Sequence, residues 1–116
     1  MRSADDPDDA LSSVLAGLAV SARQANLARS EVIADALTAE AEGRLTEAQR
    51  AAAEHAAHQV VGSAGTFGAH RASELAGSLE EYFAGEEGAR ADGLTRAQAQ
   101  LDEVRRELAA DHQVEE

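Results

Sequence analysis

The sequence predicts an all-α protein: an antiparallel up-down four-helix bundle with a long N-terminal helix. Three observations predict it. Apolar residues recur at helical spacing in four successive segments, and no segment alternates as a strand would. Each segment is bounded by helix start or stop signals. Two of the three connections are very short, which favours antiparallel neighbours.

The first helix is expected over 7–42. Asp6 can cap it, Pro7 suits its first position, and Asp8 and Asp9 suit the positive end of the helix dipole. Leu11, Val14, Leu15, Leu18, Ala22, Ala25, Val32, Ile33 and Ala36 hold one stripe. Leu27 falls off it, Asn26 and Ser30 are weak helix residues, and a kink or break is expected there. Glu40 stands where the next apolar residue would fall, and Gly43 supplies the stop.

The second helix is expected over 46–67. Thr46 and Gln49 fit a capping box. Ala53, Ala56, Val60, Ala64 and Phe67 form its apolar stripe. Three glycines, Gly62, Gly65 and Gly68, argue for a loop, since each costs a helix interior about 1 kcal/mol. The stripe runs through to Phe67, and the helix is placed with it.

A third helix is expected over 70–84, with Ala72, Leu75, Ala76, Leu79 and Phe83 inward and Gly85 closing it. Residues 85–93 read as a polar loop. Thr95 and Gln98 repeat the cap pattern, and Ala97, Leu101, Val104 and Leu108 carry a fourth helix over 95–111. Residues 1–116 are expected to form a single domain, with 1–6 and 112–116 as flexible tails. The long first helix would overhang the bundle and offers a surface for a second copy or a further domain.

Aromatic residues are 3% of the 116, and much of the 44% hydrophobic content is alanine, which suits thin helix–helix packing. Without cysteine, neither a disulfide framework nor a thiolate metal site can form. Ten basic against 22 acidic residues give a formal charge of −12. That field disfavours nucleic acid and anionic membranes and favours a partner with a basic docking surface. No run approaches the roughly 20 apolar residues of a membrane span. The start of the chain lacks the basic region of a signal peptide, so a cytoplasmic location is expected.

The stretch 54–68, Glu-His-Ala-Ala-His-Gln-Val-Val-Gly-Ser-Ala-Gly-Thr-Phe-Gly, carries the chemistry. With the core direction set by the second-helix stripe, His58 points roughly 150° away from it. Glu54, His55, Gly62 and Gly65 share that outer face, and Val61 lies at its flank. An exposed helix face has no structural reason to take glycine twice, so the pair leaves room for something to reach the ring.

This stretch resembles the core motif of histidine phosphotransfer (HPt) domains. The matching residues are Ala57-His58, Gly62-Ser63-Ala64-Gly65-Thr66-Phe67-Gly68-Ala69 and Leu79-Glu80. The resemblance implies a four-helix bundle without an ATP site, not an enzyme in its own right. It implies that His58 accepts a phosphoryl group through Nε2, from a receiver-domain aspartate or a histidine kinase. Gly62 would keep the ring accessible, and Glu80 would hydrogen-bond Nδ1 and fix the tautomer. Glu54, His55, Gln59, Val61, Gly65 and Arg71 would line the partner-docking face. The chain would need no cofactor of its own, the Mg²⁺ residing in the partner receiver. Many family members carry Lys three residues after the histidine; here Val61 stands there, and Arg71 or the partner would have to supply the charge.

Other chemistries fit less well. Residues 62–68 lack the Gly-Lys-[Ser/Thr] of a P-loop, and no nucleophile elbow marks a hydrolase. Glu54, His55 and His58 share a face, but a His-x-x-His pair is a weak metal signal, and no metal is expected. His70 and His112 read as a helix-start and a tail residue. The alternative function is a catalytically silent docking or dimerisation bundle that keeps the fold.

Overall fold

A computed structural model describes residues 7–85 and 87–110, with side chains described for 9–85 and 93–110. Asp6 as a cap and the two expected tails lie outside the described residues. Four helices follow in order: α1 Pro7–Ala41, α2 Glu47–Thr66, α3 His70–Ala84 and α4 Glu87–Ala109. No described helix is long and apolar enough to cross a membrane.

The ends of the first two helices follow from the local sequence. α1 stops at Gly43, whose φ of 75° puts it in the left-handed region. Arg44 N–H donates to the Ala39 carbonyl at 2.8 Å and Gly43 N–H to the Glu40 carbonyl at 3.0 Å, the paired bonds of a Schellman stop. α2 opens on the expected capping box: Thr46 Oγ1 accepts from Gln49 N–H at 3.1 Å, and Gln49 Oε1 accepts from Thr46 N–H at 2.9 Å. It ends by the same device as α1. Gly68 has φ 90°, and Ala69 N–H donates to the Ala64 carbonyl at 2.8 Å. Residues 62–66 are therefore helix, and the glycine that turns the chain is Gly68 alone.

Cross-helix pairs run in opposite order along neighbouring helices. Arg50, His58 and Val61 of α2 meet Phe83, Glu80 and Ser73 of α3. Tyr82 and Arg71 of α3 meet Gly93 and Glu103 of α4. Glu31 of α1 pairs with Arg105 of α4. The core between them is small-residue and aliphatic, with Ile33, Val60, Leu79, Phe83 and Val104 fully enclosed. Phe83 meets the Tyr82 ring edge-on at 5.2 Å.

Three expectations need correction. α1 runs unbroken past Asn26 and Ser30, which are buried instead of kinked. Their polar groups are satisfied inside: Asn26 Nδ2 donates to Ser63 Oγ at 3.1 Å, Arg29 donates to Asn26 Oδ1 at 2.8 Å, and Ser30 Oγ donates to the Leu27 carbonyl at 2.6 Å. The inward face of α1 is thus Asn26, Ser30, Ile33, Ala36 and Leu37, while Leu11, Val14, Leu15 and Leu18 are exposed. Finally, α4 begins at Glu87, so 85–93 is not a loop, and Thr95 lies inside the helix instead of capping it. Gly93 falls within that expected loop. It is a close-packing residue: a Cβ there would lie 3.3 Å from the Tyr82 ring.

Candidate functional site

α2 is covered by α1 on one side and α3 on the other, which buries Ala53, Ala56, Ala57, Val60 and Ala64. What remains outward is a narrow strip, and His58 stands on it with its side chain 68% exposed. Its Nδ1 lies 2.9 Å from Glu80 Oε2 of α3. An ionised carboxylate cannot donate, so the proton in that bond sits on Nδ1, and in the neutral ring Nε2 then keeps its lone pair. The imidazole is held at one nitrogen and presents the other.

Gly62 is one turn on, exposed, and a Cβ built there meets nothing within 4 Å. Packing does not require a glycine there, and its effect is the open space beside the ring. Gly65 is different. It is half-buried, and a Cβ would come 3.3 Å from Ser73 Oγ, which donates to the Val61 carbonyl at 2.7 Å. Gly65 thus lets α3 approach the α2 backbone. At Gly77 a Cβ would make only an ordinary contact, 3.9 Å from Val61 Cγ2, so packing does not require a glycine there. Sequence reasoning passed over Ser73, because its role depends on which α3 face meets α2.

The remaining residues expected at this face divide. His55 is exposed and Gln59 half-buried on the same helix. Val61 is half-buried, its side chain packed on the edge of the core. Glu54 is engaged by Arg50 at 2.8 Å. Arg50 also binds Glu47 and donates to the Phe83 carbonyl at 2.6 Å, tying the start of α2 to the end of α3. Its two carboxylate partners, Glu47 first and then Glu54, hold its guanidinium even more firmly charged than usual. Arg71 does not reach the histidine. It sits nine residues before Glu80 on α3, about 180° around and about 13 Å along the axis. It pairs with Glu103 at 3.0 Å and Glu74 at 3.5 Å. Glu103 in turn is held below the usual carboxylate range by its hydrogen bond from Arg71. Among the described residues no three His, Cys, Asp or Glu side chains converge as metal ligands.

A model of the Hpt domain family matches residues 17–113. The chain belongs to the Hpt domain family. Hpt domains are phosphocarrier modules of phosphorelays, acting with receiver domains and kinases. The match covers all four helices and begins within α1, ten residues after its first. No curated protein and no solved structure gives a match.

Proposed function

We propose that this Hpt domain carries a phosphoryl group on Nε2 of His58, exchanged with the aspartate of a receiver domain or received from a histidine kinase. The observation that carries this reading is the 2.9 Å contact between His58 Nδ1 and Glu80 on an otherwise open helix face. In the forward step the Nε2 lone pair attacks phosphorus of the partner's aspartyl phosphate. An N–P bond forms, the O–P bond breaks, and its electron pair returns to the aspartate carboxylate. The ring becomes a phosphorylated imidazolium whose proton stays on Nδ1, facing the Glu80 carboxylate. Transfer onward is the reverse sequence with a second aspartate. Glu80 stabilises the positive ring in both directions and is a positioning group, since it touches no transferred atom.

The phosphoryl oxygens need positive charge, and this face supplies little. Val61 stands where many relatives carry Lys, and Arg71 is committed to Glu103. The partner receiver's Mg²⁺ and lysine are the source in this reading. Gly62 admits the partner's active site, while His55, Gln59 and Val61 form the surrounding contact. A relay of this kind operates in the cytoplasm.

Incubation with a phosphorylated receiver tests the reading. Label is expected to move to the wild type, to be lost in acid as phosphoramidates are, and to be absent from His58→Ala. Val61 and the missing cation favour a second reading, a silent bundle that binds receivers without chemistry. Receiver binding without label transfer to the wild type would select that reading.

A further inference from the structure

Arg50, Glu54 and His58 stand one turn apart along the same face of α2, so Glu54 has a basic neighbour on either side. On an isolated helix a carboxylate pairs better with a cation four residues after it than with one four residues before it, which favours His58. The structure has the opposite arrangement. Glu54 Oε1 accepts from Arg50 Nη1 at 2.8 Å, and the carboxylate that contacts the ring is Glu80 of α3.

What holds Arg50 in place is independent of Glu54. Glu47 takes the Nε and Nη2 edge of the guanidinium, at 3.0 and 2.6 Å. Nη1 carries two N–H groups, enough for Glu54 and for the Phe83 carbonyl at 2.6 Å. Phe83 belongs to the last turn of α3, whose carbonyls have no partner within the helix, and that turn contains no basic residue of its own. Arg50 therefore closes the end of α3 from a neighbouring helix, with its side chain only 19% exposed. A guanidinium fixed by Glu47 and Phe83 does not follow Glu54 toward His58.

We propose that Arg50 is a positioning residue for phosphotransfer: by holding Glu54 it leaves Glu80 as the ring's carboxylate, on Nδ1, and keeps Nε2 of His58 free. This deepens the acceptor role proposed above and rests on it. A released Glu54 can bond the ring beside Glu80 only through a proton on Nε2. The ring then becomes an imidazolium between two carboxylates, or its tautomer reverses. In both states a proton occupies the lone pair that attacks phosphorus. The freed carboxylate would also stand one turn from the incoming phosphoryl group, like charge against like charge. Arg50 touches neither the ring nor the transferred group and acts on the ring through Glu54.

Imidazole ¹⁵N shifts of the unphosphorylated whole chain at about pH 8, above the ordinary histidine range, test this without a partner. The wild type is expected to show the Nδ1–H form of His58. Arg50→Met keeps the stem and removes the donors. Protonation of Nε2 should rise several-fold in it, and transfer from a phosphorylated receiver should slow several-fold. Its urea midpoint should fall as well, because the Phe83 carbonyl loses its partner. Adding Glu54→Ala to Arg50→Met should restore the tautomer and the rate but not the urea midpoint, which separates the effect on the ring from a purely structural one. Glu54→Ala alone, with Arg50 intact, should leave the tautomer unchanged, and it reads the proposal even where Arg50→Met does not fold. An unchanged tautomer in Arg50→Met overturns the proposal. So does a loss that Glu54→Ala does not restore, or a tautomer that shifts in Glu54→Ala alone. A wild type that shows the Nδ1–H form but takes no label contradicts the phosphotransfer reading instead, and the tautomer comparison stands apart from it.

Discussion

His58 Nδ1 and Glu80 Oε2 lie 2.9 Å apart across the groove between α2 and α3, twenty-two positions apart in sequence. In the proposed function this contact aligns the ring and selects its tautomer. Glu80→Gln keeps the shape and removes the charge that stabilises the phosphorylated imidazolium. Transfer at saturating receiver is expected to slow by about tenfold, the equivalent of about 1.4 kcal/mol. Imidazole ¹⁵N shifts should show the Nδ1–H tautomer losing population. An unchanged rate with an unchanged tautomer would make Glu80 a bystander.

Gly62 and Gly65 are expected to respond oppositely to alanine. At Gly62 a Cβ has open space, so Gly62→Ala should gain roughly 0.5–1 kcal/mol of helix stability. It should also slow transfer, because the methyl occupies the approach to the ring. At Gly65 the Cβ meets Ser73 Oγ at 3.3 Å and pushes it off the Val61 carbonyl. Losing that hydrogen bond, about 1 kcal/mol, offsets the propensity gain. Urea midpoints and transfer rates of the two variants check this. A Gly65→Ala protein as stabilised as Gly62→Ala would show that the Ser73 contact has no energetic weight.

Val61→Lys is expected to raise the transfer rate or the lifetime of the phosphorylated form several-fold, through about 1 kcal/mol of charge-assisted contact. Val61 sits at the flank, half-buried against the edge of α3, and a longer side chain can follow that surface outward. If Val61 instead docks the receiver, only half-saturation would weaken. Transfer rate against receiver concentration separates the two outcomes.

The Arg71–Glu103 pair ties α3 to α4 and sets a pH dependence. Glu103 titrates lower folded than unfolded, because Arg71 donates to it. Its contribution to stability is present above the ordinary glutamate value and is lost as pH falls through the lower folded one. Both side chains are substantially exposed, so the effect is small. Urea midpoints of wild type and Glu103→Gln should differ at pH 7 and converge in strong acid. A gap that widens in acid would contradict the sign.

The sequence announces helix existence and most helix ends here, because those signals are local. The Thr46–Gln49 box, Gly43 and Gly68 act within a few residues of themselves, and the stripe through Phe67 outweighs three glycines. The outward setting of His58 follows from the same stripe. What failed depends on tertiary contact. Asn26 and Ser30 read as helix-breakers because their partners are not all local: Ser63 is thirty-seven positions from Asn26. Gly93 read as a loop because its reason is the Tyr82 ring on another helix. Gly65 is expected on the outer face by helical spacing and Arg71 by the charge the site needs. Their contacts with Ser73 and Glu103 are tertiary, and no local signal announces them.

The central claim is that Nε2 of His58 is the acceptor while Nδ1 stays protonated toward Glu80. The most direct measurement is ¹⁵N–³¹P coupling in the phosphorylated, histidine-labelled protein. The account predicts one phosphorus coupled to Nε2 of His58, with Nδ1 carrying its proton and His55 unchanged. Phosphorus on Nδ1 of His58, or on His55, would contradict it.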